Sequence, residues 1–291
     1  MKPAPFAYHR AATIDDAVRW LAELAPQDGR VLAGGQSLLP MMAFRLASPA
    51  HLIDINAVGG LDELVLRDGK LCIGARVRHA AFHKPIGEGP LGVMLATIAR
   101  HIGHYPIRQR GTLCGSLANA DPAAEWCVAA VTLDAELVAV SARGERVMAA
   151  RDFFRGAMAT ALAPDELLRE ARLPVVADDT RFGFAEFSRR AGDFALAMAM
   201  AACRLEGGVV AAPRIGLGGV EASPRRIAAA EAVLDGQEPG ADVFRAAAAT
   251  AAAAIEPLED GQTDPEYRRE LAQAMVYRAL TRAFAATGER A

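Results

Sequence analysis

The sequence has few of the features that mark several common protein classes. Its 291 residues include only four cysteines (Cys72, Cys114, Cys127 and Cys203), and no two of them form a C-x-x-C pair. This spacing provides no recognisable structural zinc site and no cysteine-ligated iron–sulfur cluster within the chain. A formal net charge of −3 disfavours a nucleic-acid partner, and scattered cysteines without a disulfide pattern favour a reducing compartment.

Long apolar runs and familiar nucleotide motifs are also missing. The most apolar stretches, residues 194–203 and 246–255, are about half as long as a membrane-spanning helix requires. The first six residues contain no apolar segment of signal-peptide length. We therefore expect a soluble, cytoplasmic protein without a transmembrane segment. Neither the G-x-G-x-x-G turn of a Rossmann site nor a P-loop occurs.

The first third of the chain has the pattern of a βαβ unit. Residues 6–8, 30–33 and 51–55 are predicted strands. A helix is expected after Thr13, a good N-cap residue that is followed by two acidic residues and by apolar residues at helical spacing. The second strand leads directly into a glycine pair.

Residues 58–176 have a different pattern. Alternating segments at 64–73 and 135–149 predict two hairpins, the first with an Asp-Gly turn, and helical segments are expected near 79–83 and 91–102. Beyond position 177, strands are expected at 182–189 and 209–215, whereas 195–205 fits a strand or a helix. The Ala-rich stretch 224–288 predicts helices.

The segment Ala33-Gly34-Gly35-Gln36-Ser37 joins a predicted strand to a predicted helix. Glycines let the backbone turn so that several N–H groups face one small concavity, which attracts an anion. Ser37 is the expected N-cap of the following helix. On its own the segment fits a phosphate site or a plain turn, because many strand-to-helix turns contain two glycines.

A second segment of small residues and hydroxyls runs from Gly111 to Ser116. We expect it to be a loop, followed by a helix with Asp121 as N-cap and Pro122 at the first helical position. Glu125 then falls one turn into that helix and could point back toward the loop. Two such segments in one chain suggest a ligand with two polar ends or a diphosphate.

Together the two segments resemble the flavin loops of the FAD-binding medium subunits of molybdenum hydroxylases, the family of the carbon monoxide dehydrogenase medium chain and the xanthine dehydrogenase FAD subunit. The resemblance rests on Ala33-Gly34-Gly35-Gln36-Ser37-Leu38-Leu39-Pro40 and on Arg110-Gly111-Thr112-Leu113-Cys114-Gly115-Ser116, at this separation. It extends over nearly the whole chain, including Leu52-Ile53-Asp54-Ile55 and Arg189-Arg190-Ala191-Gly192-Asp193-Phe194-Ala195.

The resemblance implies an α+β protein in two domains. Residues 1–176 would form an FAD-binding domain of the vanillyl-alcohol-oxidase (PCMH) type, with subdomains at about 1–57 and 58–176. Residues 177–291 would form a C-terminal α+β domain with a small antiparallel sheet and helices.

The resemblance also implies roles for individual residues. The backbone N–H groups of Ala33, Gly34, Gly35, Gln36 and Ser37 would hold the FAD diphosphate. The other side of the nucleotide would be lined by Thr112, Leu113, Cys114, Gly115 and Ser116. Three further positions would meet other parts of FAD: Glu125 the ribityl hydroxyls, Leu168 the adenine end, and Phe194 one face of the isoalloxazine ring.

Two residues depart from the family pattern. Cys114 stands where the second loop usually has a glycine, so it is either strained by a positive φ, a small neutral replacement, or a thiol with a redox or flavin contact. Gln36 stands where covalently flavinylated relatives of the wider fold have histidine. We therefore expect FAD to bind non-covalently.

The implied function is electron transfer through FAD within a larger oxidoreductase. A molybdopterin-bearing large subunit would hydroxylate the substrate, and a small [2Fe–2S] subunit would pass electrons to this chain, which would deliver them to an external acceptor. A dimer of heterotrimers is expected, and no metal site or catalytic acid or base in this chain. The alternatives are a stand-alone flavin oxidoreductase of the same fold and a flavin-free structural subunit.

Overall fold

Three larger sheets, one in each successive part of the chain, organise the fold. The computed structural model describes residues 2–261 and 263–285. The N-terminal part has a three-stranded parallel sheet in the order β1-β3-β2. Its elements are β1 (Ala7–Arg10), α1 (Ile14–Leu24), β2 (Gly29–Leu32), α2 (Leu38–Ala43) and β3 (His51–Asp54).

Helix α1 forms as its sequence predicts. The Thr13 hydroxyl accepts a hydrogen bond from the Asp16 amide at 3.0 Å, which satisfies one of the unpaired N–H groups of the first turn. The helix buries one apolar stripe against the sheet, formed by Ala17, Val18, Leu21 and Leu24. The predicted βαβ opening is therefore confirmed, and the glycine pair follows the carboxyl end of β2.

The middle part contains a five-stranded antiparallel sheet in the order β4-β5-β10-β6-β7. Asp68 and Gly69 both have left-handed φ, which matches the twist of the first predicted hairpin. The elements are β4 (Leu64–Arg67), β5 (Lys70–Gly74), α3 (Pro90–Ala99), α4 (Tyr105–Arg108), α5 (Leu113–Asn119), α6 (Glu125–Thr132), β6 (Glu136–Ser141), β7 (Gly144–Ala149), α7 (Ala150–Phe153), β8 (Phe154–Gly156), β9 (Ala159–Thr160) and β10 (Leu167–Pro174). Two short 3-10 turns occur at Ala25–Gln27 and His79–Phe82.

The C-terminal part has a four-stranded antiparallel sheet in the order β11-β12-β13-β14, covered by helices. The ambiguous stretch 195–205 is a strand for most of its length, and positions 286–288 of the expected helical region lie outside the described residues. The elements are β11 (Arg181–Phe187), β12 (Ala197–Glu206), β13 (Val209–Gly218), β14 (Arg225–Arg226), α8 (Ala228–Leu234), α9 (Ala241–Ala253) and α10 (Pro265–Phe284).

Strand β12 shows why this segment is a strand. Met198 and Met200 on one face join the core that runs through the N-terminal and middle parts. Ala199 and Ala201 on the other face pack in a second core with α9 and α10. A period of two that buries both faces requires a strand between two apolar layers. None of the helices within the described ranges is long and apolar enough to cross a membrane.

The C-terminal sheet approaches the middle part at two glycines of β13. A Cβ on Gly218 would lie 2.2 Å from Val128 Cγ2 of α6, and one on Gly216 would lie 1.9 Å from Thr132 Oγ1. Both partners are buried, and Gly219 N–H donates to the Pro122 carbonyl at 2.7 Å. Because neither glycine has a side chain, the side chains of α6 pack directly on the backbone of β13.

We expect Gly218→Ala to destabilise the protein by roughly 1–3 kcal/mol, because the added methyl overpacks a site that cannot expand without moving α6. Thermal unfolding measures this as a melting temperature lower by about 2–4 °C per kcal/mol. Gly59→Ala is the matched control, since a Cβ there meets nothing within 4 Å. Equal melting temperatures for the two variants would contradict this packing.

Candidate functional site

The first glycine segment is a turn at the carboxyl end of β2. Gly35 has φ +69°, in the left-handed region, and Gln36 Nε2 donates to the Gly34 carbonyl at 3.2 Å. Within residues 2–261 and 263–285, no protein acceptor takes a hydrogen bond from the N–H groups of residues 34–37. These donors are half-buried or exposed, so they are available to an anion.

Ser37 is the N-cap residue of α2, as expected, but its hydroxyl does not cap the helix. Its backbone is already helical, with φ −103° and ψ −50°, and its side chain makes no capping hydrogen bond. A capping hydroxyl needs an extended backbone at the N-cap to reach the amides of the first turn. The predicted N-cap position is therefore confirmed, and the hydroxyl of this exposed residue is not used to cap the helix.

The second segment is the start of a helix, not the loop that its composition predicted. Thr112 is the N-cap of α5, and its hydroxyl accepts from the Gly115 amide at 3.0 Å. Backbone contacts with residues 77 and 78 hold the segment in place. These are the Arg78–Thr112 β-bridge and the hydrogen bond from Leu113 N–H to the Val77 carbonyl. The hydroxyl expected to face a ligand is therefore used inside the chain and is buried.

The two segments lie against each other. A Cβ on Gly34 would lie 2.5 Å from the Arg110 carbonyl oxygen and 2.7 Å from Gly111 Cα. These are backbone atoms of a distant part of the chain, and they cannot turn aside as the end of a flexible side chain could. Only glycine at position 34 allows this contact, so the structure brings together the two stretches singled out in the sequence.

A narrow cleft of about 70 Å³ separates the segments at one side. Four residues expected at the site line it, namely Ala33, Cys114, Gly115 and Leu168. No sequence pattern singled out the other lining residues, which are apolar side chains from separate strands, loops and helix α5, together with one carboxylate. They are Val31, Ile55, Ala75, Ala118, Leu162, Leu167 and Glu166. The cleft can hold part of a nucleotide and exclude water from it.

Cys114 lies inside α5 and is not among the positive-φ residues, so it is unstrained. Its side chain is buried, with Sγ 3.4 Å from the Ile73 carbonyl oxygen. Burial raises the pKa of the thiol to about 12. A thiol with so little thiolate character is a poor nucleophile, so the reading of Cys114 as a small neutral replacement is the one that this environment favours.

The ring of His79, a residue that no sequence pattern singled out, packs against Gly111 at the start of the second segment. A Cβ on Gly111 would lie 2.6 Å from His79 Nε2, and Trp126 Nε1 donates to His79 Nδ1 at 2.9 Å. Burial, with further contributions from Arg108 and Arg78, lowers the pKa of His79 to about 3. The His79 ring is therefore neutral at physiological pH, held by Trp126, and packed closely against Gly111.

Glu125 is the first residue of α6, not a residue one turn inside it. Ala124 is the N-cap, and the Asp121 carboxylate instead accepts from the Ala123 amide at 2.9 Å, in a turn before the helix. The expectation failed because an Asp side chain can bond the backbone two residues on as readily as it caps a helix. Burial, reinforced by Asp121, raises the pKa of Glu125 to about 7.

Glu125 belongs to a buried acidic group at the junction with the C-terminal sheet. The pKa of Glu186 on β11 is raised to about 8, by burial first and then by Glu125. His101 Nδ1 lies 3.6 Å from Glu186 Oε2, and burial and Arg282 lower the pKa of that histidine. At neutral pH the contact therefore joins a neutral ring to a largely protonated acid.

Phe194 lies apart from the cleft. Its side chain is 71% exposed, and it follows a turn in which Gly192 has φ +86°. A Cβ on Gly192 would lie 2.4 Å from His104 Cε1, so this turn packs on the ring of His104. Neither His101 nor His104 belongs to a group of three or more metal-ligating side chains among the described residues.

These features place a turn with free N–H groups beside a narrow, mostly apolar cleft, an arrangement that suits a nucleotide-type cofactor. Comparison with known proteins agrees: residues 4–176 match the family described as FAD binding domain in molybdopterin dehydrogenase, and residues 182–283 match the CO dehydrogenase flavoprotein C-terminal domain. The chain therefore belongs to the FAD-binding medium subunits of the molybdenum hydroxylases, which are oxidoreductase subunits.

Individual relatives match over their full length. The chain is 35% identical to the nicotine 6-hydroxylase medium subunit of Paenarthrobacter nicotinovorans, covering 99% of this chain and 100% of that protein. It is 36% identical to the carbon monoxide dehydrogenase medium chain of Afipia carboxidovorans, covering 97% and 98% respectively. The structure of carbon monoxide dehydrogenase from Hydrogenophaga pseudoflava matches with a TM-score of 0.93 at 36% identity, covering 98% of this chain and 99% of that one. The expected α+β class and family are confirmed.

The residues present fit FAD. The free N–H groups of residues 34–37 suit a diphosphate, and the left-handed φ of Gly35 lets the backbone make the turn that carries them. The apolar cleft beside them suits the less polar parts of the nucleotide. Its volume accommodates only part of such a molecule, so the remainder lies outside it.

We expect Gly34→Ala to remove most of the bound FAD, because the new methyl forces the first segment away from Arg110 and Gly111. The flavin-to-protein ratio of the purified protein, from its absorbance, measures the effect. Gly59→Ala, whose Cβ meets nothing within 4 Å, should retain wild-type flavin. Full occupancy in Gly34→Ala would contradict the role of this contact.

The raised pKa of Glu186 makes the stability of the protein depend on pH. The folded-state pKa of Glu186 is about 8, above its ordinary value of 4.5, so its contribution to stability is present below pH 4.5 and is lost as the pH rises toward 8. Glu186→Gln removes this loss. We expect its melting temperature to exceed that of the wild type by several degrees at pH 8 and to differ little at pH 5. A difference independent of pH would show that Glu186 is already charged in the folded protein.

Proposed function

We propose that this chain is the electron-transfer subunit of a molybdenum hydroxylase, taking electrons from a [2Fe–2S] subunit and passing them to an external acceptor. The substrate would be hydroxylated on a molybdopterin-binding large subunit. We further propose a cytoplasmic complex built as a dimer of heterotrimers. Membership of the medium-subunit family and full-length similarity to named medium chains support this assignment.

The observation that carries the proposal is the contact of Gly34 with Arg110 and Gly111. It joins a turn of unpaired N–H groups from one subdomain to the start of α5 from another. A molecule with a charged centre and less polar ends can then bind across the junction, its centre on the turn and one end in the cleft.

Each site residue would contribute through what its position allows. The N–H groups of residues 33–37 would bind the diphosphate, while residues 112–116 would line the opposite side, with Gly115 permitting close approach. Leu168 in the cleft would face the adenine end. Glu125, with its pKa near 7, can hold a proton and hydrogen-bond ribityl hydroxyls in either direction.

The flavin end requires cover from water. Phe194 is 71% exposed in the present structure and would bury its ring against one face of the isoalloxazine. Bound FAD supplies the redox chemistry, because a flavin exchanges electrons singly or in pairs. Gln36, whose amide bonds the Gly34 carbonyl, carries no group able to bond the flavin covalently.

We propose a division into residues 1–176, with subdomains at about 1–57 and 58–176, and residues 177–291. The three larger sheets support this division. The parallel sheet ends at Asp54, the middle sheet begins at Leu64 and ends at Pro174, and the C-terminal sheet begins at Arg181.

The experiment is purification of the complex from its native host through a tag on this chain. We expect a large and a small subunit to co-purify, a native mass of two copies of each, and flavin absorbance that moves to the supernatant on acid precipitation. A chain that oxidises substrate without partners would contradict the subunit assignment. Flavin that stays with the precipitate would contradict non-covalent binding, and a spectrum without flavin bands would contradict the FAD site in this chain.

A further inference from the structure

A hydrogen-bonded chain of side chains links the two glycine segments behind the candidate site. Asn56, which follows β3, donates from Nδ2 to the Ala33 carbonyl at 2.9 Å. Its Oδ1 accepts from Arg78 Nη2 at 2.5 Å, and Arg78 Nη1 donates to the Arg110 carbonyl. One guanidinium therefore joins Asn56, which is bonded to the first segment, to Arg110, the residue just before the second segment.

The orientation of Asn56 is fixed by the buried Asp54. Asp54 Oδ1 accepts from the Asn56 amide at 2.7 Å and from Asn56 Nδ2 at 2.6 Å, while the Tyr8 hydroxyl donates to Asp54 Oδ2. Because a carboxylate accepts only, the Asn56 side chain must present its NH₂ to Asp54 and Ala33 and its oxygen to Arg78. The bridge thus has one arrangement.

The carbonyl that Arg78 holds is also the atom on which Gly34 packs. The Arg110 oxygen lies 2.5 Å from the position of a Cβ on Gly34. Arg78 therefore holds the Arg110 side of this contact, and Asn56 holds the Ala33 side. The planar fork of arginine suits two acceptors at set angles, which a lysine ammonium does not reproduce.

Among residues 2–261 and 263–285, no carboxylate forms an ion pair with Arg78. Its two hydrogen-bond partners, an amide oxygen and a backbone carbonyl, are both uncharged. Burial lowers the pKa of Arg78, Arg76 and Arg110 lower it further, and Asp54 acts in the opposite direction. Arg76 has the Asp62 carboxylate at 3.7 Å, whereas the exposed Arg110 guanidinium makes no hydrogen bond within the described residues. Because the Arg110 carbonyl that Arg78 contacts also packs on Gly34, the Arg78 charge lies near the start of the turn with unpaired N–H groups, an arrangement that favours an anion.

We propose that Arg78 is a positioning residue for the diphosphate of FAD. It holds the two glycine segments in register through Asn56 and the Arg110 carbonyl, and its partly buried charge adds to the field that attracts the anion. This inference rests on the proposed FAD site and assigns Arg78 no direct contact with the cofactor.

The test uses the purified complex, freed of flavin and titrated with FAD. We expect Arg78→Met to weaken binding about ten- to hundredfold, the loss typical of a hydrogen-bonded charge. Arg78→Lys, which retains the charge without the fork, and Asn56→Ala, which breaks the bridge but keeps the arginine, should each weaken binding less. Arg151→Met, a change at a side chain that is 77% exposed, is the matched control and should leave binding unchanged.

The salt dependence of FAD binding separates a local charge effect from general damage to the fold. Added potassium chloride should weaken FAD binding to the wild type more steeply than to Arg78→Met, since the variant lacks the charge that salt screens. Equal slopes, or affinity within twofold of the wild type, would overturn the proposal. A wild-type chain that binds no FAD would overturn the proposed function itself, whereas wild-type binding with an unaffected Arg78→Met variant would overturn only this inference.

Discussion

The close approach of Gly34 to the backbone of Arg110 and Gly111 is the contact on which the rest of the site depends. Two distant stretches of the chain meet there without an intervening side chain. Because the segments touch on one side, the space beside them is a narrow cleft lined by both. The contact itself is made by backbone atoms. The side chains of Asn56 and Arg78 stabilise it through hydrogen bonds to the Ala33 and Arg110 carbonyls.

The C-terminal sheet extends this arrangement without forming the cleft. One face of β12 completes the core shared by the first two parts, while the other packs on α9 and α10. The same packing carries Glu186 into the junction near Glu125 and places the turn before Phe194 on the ring of His104. The C-terminal sheet therefore sets the surroundings of Glu125 and of the turn before Phe194, although it contributes no residue to the lining of the cleft.

The sequence predicted most of the fold, and its errors have a common cause. Strands and helices with strong periodicity formed as expected, including α1 and the hairpin at Asp68. The failures at Asp121 and at residues 111–116 both concern where a helix begins. Several polar side chains near such a point can bond the same few amides, and small tertiary contacts, such as the Arg78–Thr112 bridge, decide among them.

The sequence alone determined the family, the two glycine segments and the resemblance of their residues to flavin-binding loops, because these are properties of local composition and spacing. Only the tertiary structure decided that Gly34 touches Arg110, that Cys114 is unstrained and buried, and that Glu125 and Glu186 share one environment. Arg78 had no signal in the sequence, since its partners lie 22 and 32 positions away. Burial and long-range hydrogen bonds arise when distant segments meet, and no local pattern encodes them.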